Sequence, residues 1–131
     1  MSVASQITAV CQAAVPGREV YNAQILNEPD PDGWAIVYCN PGDRKRLTVA
    51  TAGAKAKVWW QVSCFAPTEE TAAWLQGRIT DHLMANPVVI DGWTPGVVKN
   101  TVSQLPIQDE SVMEHPLIQA ISQFEIHISK Y

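Results

Sequence analysis

The chain has 131 residues and a formal net charge of −4, with 47% hydrophobic and 17% charged residues. This composition is typical of one folded domain, which buries roughly two thirds of its unfolded surface, and it differs from that of disordered chains. The acidic balance argues against a broad phosphate-binding surface, which needs an excess of lysine and arginine. We therefore expect a single domain over residues 1–131.

The first predicted element is a helix at the N-terminus. Val3, Ile7 and Cys11 follow helical spacing, and Pro16-Gly17 ends the pattern. The first residues lack the basic and continuous apolar regions of a signal peptide. No apolar run approaches the ~20 residues of a membrane span. These features predict synthesis in the cytosol and no contact with a membrane.

Two extended segments follow the first helix. Residues 20–26 are predicted to be extended, and residues 27–33 form a loop rich in proline and acidic residues. Residues 34–39 form a continuous apolar run with β-branched and aromatic side chains. Such a run favours a strand that is at least partly covered on both faces, and Pro41-Gly42 predicts a turn after it.

A long hairpin arm with a basic tip is predicted over residues 40–57. Arg44, Lys45 and Arg46 follow the turn, and Lys55 and Lys57 return on the partner strand. A solvated hairpin tip is one interpretation. The other is a tip that docks on an acidic neighbour, because arginine forms paired hydrogen bonds with a carboxylate. A basic arm on an acidic chain suits head-to-tail association, in which the arm meets the acidic surface of the next subunit.

The clearest strand pattern runs from Lys55 to Phe65. Val58, Trp60 and the other even positions are apolar, so this face is predicted to be core and the odd face mostly solvated. Trp59 is a large apolar ring on the polar face. A lone exposed tryptophan can arise by chance, but it is also typical of an assembly contact.

A helix is predicted directly after this strand. Pro67 ends the strand, Thr68 is a suitable N-cap, and the acidic first turn suits the helix dipole. Trp74 lies off the predicted buried stripe. Because tryptophan is enriched in binding hot spots, Trp74 joins Trp59 as a candidate interface residue. The buried stripe consists of Ala72, Leu75, Ile79 and Leu83.

The remaining chain is predicted to form strands and loops. Residues 88–90 indicate a short strand, residues 101–116 are mostly loop or short strand, and residues 117–122 are ambiguous. Residues 124–131 alternate as a final strand. Because the strands cluster between the helices, we expect an α+β fold with a mainly antiparallel sheet and two principal helices packed on one face.

No residue pattern in the sequence indicates a catalytic, metal-binding or cofactor-binding site. Cys11, Cys39 and Cys64 are widely spaced among apolar neighbours, which predicts reduced, buried thiols. The three histidines lack zinc-site spacing, and no glycine motif for binding phosphate is present. We therefore expect no catalytic residue, no metal ligand and no cofactor.

The order of elements resembles the tail terminator (tail completion) proteins of long-tailed bacteriophages. The resemblance is carried by the helix that ends at Val15-Pro16-Gly17, the arm-like hairpin, the strand–proline–helix unit from Val58 to Leu75, and the strand at the C-terminus. It covers nearly the whole chain in layout. The family has no catalytic or ligand signature to transfer.

The resemblance implies a structural role in a virion. Six copies would form a ring on the tail-tube protein, end tube growth, and present a second surface to the head–tail connector or stopper protein. The chain would be made in the host cytoplasm and reside in the tail or neck of the virion. DNA would be only transiting cargo, and an acidic balance would let it slide.

Other functions stay open at this point. Another neck component, such as a head–tail connector stopper or a head completion protein, would differ in the partner that it binds. A tail-tube subunit would polymerise alone into tubes. A small enzyme or ligand-binding domain would need a concave pocket with converging polar groups, and the sequence shows no such set.

Overall fold

In a computed structural model of the chain, the described residues are 3–23, 32–40, 54–86, 88, 90, 92–104, 106–109 and 117–130. They form two helices, α1 (Val3–Ala14) and α2 (Glu69–Ala85). They also form seven strands: β1 (Glu19–Asn22), β2 (Trp34–Asn40), β3 (Ala54–Ala66), β4 (Thr94–Pro95), β5 (Lys99–Ser103), β6 (Ile107–Asp109) and β7 (Leu117–Lys130). The tip of the predicted hairpin arm lies outside the described residues.

The strands form one mostly antiparallel sheet around two long central strands. β3 pairs with β7 from Ala54 opposite Lys130 to Ala66 opposite Ile118. β2 pairs with the other edge of β3, and β1 pairs with β2 in parallel. The second edge of β7 takes β6, β5 and β4 in succession. The register of these ladders fixes which side chains share a face of the sheet.

The core lies between the helices and one face of the sheet. Trp60 and Phe124 stack at its centre with ring centroids 5.7 Å apart. Ile7 from α1 and Ile79 from α2 belong to the same buried cluster. Both helices therefore cover the same face, which confirms the predicted α+β fold with two helices on one side of a mainly antiparallel sheet.

Helix α2 begins and is buried as its sequence predicts. The Thr68 side chain accepts a hydrogen bond from the Thr71 amide at 3.2 Å, which satisfies one of the free amides of the first turn. The buried residues of α2 are the predicted stripe, Ala72, Leu75, Ile79 and Leu83. The helix ends at Ala85, and its C-cap residue Asn86 has extended backbone angles.

A second, smaller cluster lies on the opposite face of the sheet. Trp34 and Phe65 stack there at 5.4 Å, and Tyr21 and Ile36 pack with them. The prediction that the odd face of β3 is mostly solvated is wrong at this end, since Ser63 is only 1% exposed. The cause is β2, whose apolar run places large side chains on both faces of the sheet.

The second half of the chain differs from its prediction in two places. Val88 and Ile90 are buried but lie outside any strand, and a turn follows in which the Trp93 amide bonds the Ile90 carbonyl at 3.0 Å. Gly92 in this turn has φ +83°, which favours glycine. The last strand begins at Leu117, seven residues earlier than the predicted start at Phe124, because the whole of β3 serves as its pairing edge.

Candidate functional site

The sheet face opposite the helices, here called the open face, carries large apolar side chains that are exposed. They are Tyr38 (43% exposed), Trp59 (42%) and Val102 (37%). Tyr38 lies opposite Gln61 in the register of β2 and β3, and Gln61 lies opposite Gln123 of β7. Val102 of β5 also pairs with Gln123. One row across four strands therefore contains Tyr38, Gln61, Gln123 and Val102.

Trp59 lies in the adjacent row of the open face, beside a group of charged side chains. It pairs with Glu125 of β7, which in turn pairs with Lys99 of β5. The Lys57 ammonium lies 3.0 Å from the Glu125 carboxylate, and Lys57 pairs in register with His127. We call Lys57, Lys99, His127 and Glu125 the basic end of the open face.

The charges of the basic end act on one another. The hydrogen bond from Lys57 lowers the pKa of Glu125, and the charges of Lys57, His127 and Lys99 lower it further. Because Glu125 and Lys57 meet solvent, their pair contributes little to folding. Two lysines against one carboxylate leave the group net positive, in a chain whose overall charge is −4.

The structure brings together two of the residues predicted from the sequence, Lys57 and Trp59. Lys55 lies two residues earlier in β3, paired with Ser129, and its side chain lies outside the described part of the structure. Arg44, Lys45 and Arg46 also lie outside the described residues. Their proposed contacts therefore stay a prediction.

Trp74 belongs to a separate surface on the helical side of the molecule. It is 49% exposed on α2, and the Arg78 guanidinium lies 5.8 Å from its ring centroid. A shallow depression of about 300 Å³ lies beside it, lined by Arg18, Glu70 and Thr71. The two candidate tryptophans thus face opposite sides of the sheet and do not form one site.

The described residues offer little for catalysis. Burial raises the pKa of the thiols of Cys11 and Cys64 to about 12 and that of Cys39 to about 11. Such thiols are weak nucleophiles because reactivity requires the thiolate. Within the described ranges, no group of three or more histidine, cysteine or acidic side chains could hold a metal ion. Nor is any helix in them long and apolar enough to cross a membrane.

Sequence reasoning missed several residues of the open face. Tyr38, Val102 and Lys99 reach it through cross-strand register, which no single segment reveals. A bulge in β5 between Asn100 and Val102 shifts the register. The Asn100 side-chain amide stabilises the bulge by donating to the carbonyls of Val102 at 3.1 Å and Gln123 at 3.0 Å. The irregularity therefore places Val102 in the same row as Tyr38.

Comparisons with known proteins identify a shared fold. No family model matches the chain, and no curated protein does. Among solved structures, the chain is similar to a chain in the virion of a native gene transfer agent (GTA) particle. The TM-score is 0.62 at 18% sequence identity, over 98% of this chain and 92% of that chain. At this identity the likeness establishes the fold.

Proposed function

We propose that this chain is a structural protein of a phage-like virion. The observation that carries the proposal is the likeness to a chain of the GTA virion, which extends over 98% of this chain and 92% of that one. The likeness extends over nearly the whole of both chains, so it does not rest on a common small motif. Because a fold hosts many functions, the proposal also needs support from the surface.

The surface suits a subunit with several neighbours. Trp59 on the open face and Trp74 on α2 are 42% and 49% exposed. Exposed tryptophans are typical of the centres of protein interfaces. Because they lie on opposite sides of the sheet, one copy can contact two neighbours at once. Such heterologous contacts build a ring when the rotation between subunits closes.

Within a virion, we propose the role of a tail terminator. Copies of the chain, six if the resemblance in sequence layout holds, would close into a ring on the last ring of tail-tube protein. The ring's other face would receive the head–tail connector or stopper protein, and DNA would pass through it. The proposed contact residues are Arg44, Lys45, Arg46, Lys55, Lys57, Trp59 and Trp74.

This role requires no reaction. The depressions among the described residues are shallow and open, and the one beside Trp74 is lined by a single cation, a single carboxylate and a threonine besides the indole. Such a surface provides shape and contact area but no converging set of acid, base and nucleophile. We propose that the protein acts by geometry, because a closed ring presents two unlike faces.

Electron microscopy of tail tubes tests the proposal. Purified chain is added to growing tail tubes, and negative-stain images of the tube ends are compared with and without it. We expect one ring at one end of each tube and an end to elongation. Tubes formed by the chain alone would instead identify a tail-tube subunit. Binding to isolated head connectors without capping of tubes would identify a stopper or head completion protein.

A further inference from the structure

Charged side chains of opposite sign lie at opposite ends of the long strand β3. The basic end surrounds Lys57, near the start of β3. The row that contains Phe65, near the end of β3, reaches Trp34 of β2 and Glu19 of β1. At 3.3–3.4 Å per residue, these two rows lie roughly 27 Å apart. The molecule therefore carries opposite charge at the two ends of β3.

The far end of β3 carries four carboxylates, and we call Glu19, Asp32, Glu69 and Glu70 the acidic end. Glu69 and Glu70 are exposed in the first turn of α2, which starts three residues after β3 ends. Asp32 is 75% exposed by its side chain and forms an ion pair of 3.9 Å with Arg18.

Backbone packing holds the parts of the acidic end together. Gly33, next to Asp32, lies against the carbonyl of Phe65 and the side chain of Leu75. A Cβ atom at Gly33 would lie 3.3 Å from that carbonyl oxygen and 3.0 Å from the Leu75 side chain. Arg18 and Glu70 line the same depression. The acidic end thus combines four carboxylates with one guanidinium, and the partial positive charge of about +0.5 at the start of α2 offsets only part of this excess.

We infer that the basic end of one copy, with Trp59 beside it, docks on the acidic end of a second copy, so that subunits associate head to tail. This inference rests on the proposed ring and names its lateral contact. The two surfaces differ and lie at opposite ends of the molecule, so the contact is heterologous. Two basic ends facing each other would repel, which disfavours an isologous dimer through this surface.

The chemistry of the two surfaces favours a second copy as the occupant of the open face. Lys57 and Lys99 offer two ammonium groups, and Glu69 and Glu70 offer two exposed carboxylates. Trp59, Tyr38 and Val102 supply apolar surface next to the ammonium groups. Interfaces of this kind gain specificity and speed of association from complementary charge and most of their affinity from buried aromatic rings. Salt therefore weakens the predicted association.

Charge reversal in mixed variants tests the inference. Variant A carries Lys57→Glu and Lys99→Glu, so both of its ends are acidic. Variant B carries Glu69→Lys and Glu70→Lys, so both of its ends are basic. We expect the association constant of each variant alone to be at least about tenfold lower than that of the wild type, because like charges then meet. An equimolar mixture should regain association, because A and B can alternate, and six subunits allow an even alternation.

Sedimentation velocity and native mass spectrometry, at low and high salt, provide the readout. Asp81→Lys is the control, since it also reverses the charge of an exposed side chain but lies about three turns beyond Glu70 on α2, away from both ends. It should associate as the wild type does. The exchange Lys57→Glu with Glu125→Lys keeps the net charge of the basic end, so it should associate more strongly than variant A. Circular dichroism of each variant verifies that it is folded at the assay temperature.

Three results would overturn the inference. They are a wild-type chain that stays monomeric at low salt up to its solubility limit, variants A and B that each associate like the wild type, and a mixture that regains nothing. The same samples are added to tail tubes, which separates this inference from the proposed function. Capping of tubes without any dependence on these charges would leave the terminator role standing and remove this contact. Charge-dependent association without capping of tubes would support this contact and remove the terminator role.

Discussion

Replacement of Trp59 by alanine tests the open face as a contact surface. Trp59 is 42% exposed, and a fully exposed tryptophan presents up to about 250 Å², so about 105 Å² remain for burial in a contact. At about 25 cal/mol per Å², complete burial is worth about 2.6 kcal/mol. This corresponds to roughly an 80-fold change in the association constant. Half of that burial would give roughly a tenfold change.

The folded subunit should tolerate the substitution. Trp59 lies on the open face, whereas the core on the other side of the sheet is built around Trp60 and Phe124. Its neighbours Lys57 and Glu125 keep their ion pair in the variant. We therefore expect an unchanged far-ultraviolet circular dichroism spectrum at 20 °C and a small decrease in the melting temperature.

Sedimentation velocity over a range of concentrations measures the effect on association. We expect the midpoint of self-association of Trp59→Ala to move to a concentration 10- to 80-fold higher, and further when the charges of Arg44, Lys45 and Arg46 are also removed. Met84→Ala is the control, since Met84 is 51% exposed at the C-terminal end of α2 and is not a proposed contact. A Trp59→Ala protein that sediments as the wild type does would refute the role of Trp59 in a contact.

The remaining predictions concern the scaffold that holds these surfaces. Thr68→Ala removes the N-cap of α2 and should lower the free energy of unfolding by about 1 kcal/mol in urea titrations; an unchanged midpoint would contradict the cap. Gly33→Ala should cost about 1–3 kcal/mol, because Gly33 has φ +142° and a Cβ would lie 3.0 Å from Leu75; a melting temperature equal to the wild type would contradict it. Burial raises the thiol pKa of Cys11 and Cys64 from 9.0 to about 12. Between pH 9 and pH 12 the thiol is ionised in the unfolded chain but neutral in the folded one. The free energy of unfolding is therefore unaffected below pH 9 and falls as the pH rises towards 12, by up to about 1.4 kcal/mol per thiol and pH unit. Urea titrations at pH 8 and pH 10.5 should show a lower free energy of unfolding at the higher pH. If a variant with both cysteines replaced by serine showed the same decrease, the thiols would not be its cause.

Some parts of the site could be predicted from the sequence and others could not. The exposure of Trp59 follows from strand alternation alone, since its neighbours Val58 and Trp60 point into the core. The exposure of Trp74 follows from helical spacing relative to the buried stripe of α2. These local periods are strong because each segment is long and amphipathic. The location of Lys99 beside Glu125 depends on pairing between distant segments, and a bulge in β5 alters that pairing.

Elements with local signals can be predicted from the amino-acid sequence alone. Strand β3, the cap at Thr68, the buried stripe of α2 and the α+β class all follow from period, capping and breaker residues within short windows. Long-range strand pairing sets the length of β7, the second cluster around Trp34, and the separation of basic and acidic charge along β3. These features could not be predicted because cross-strand register brings together residues far apart in the chain, and no local pattern encodes which rows they share.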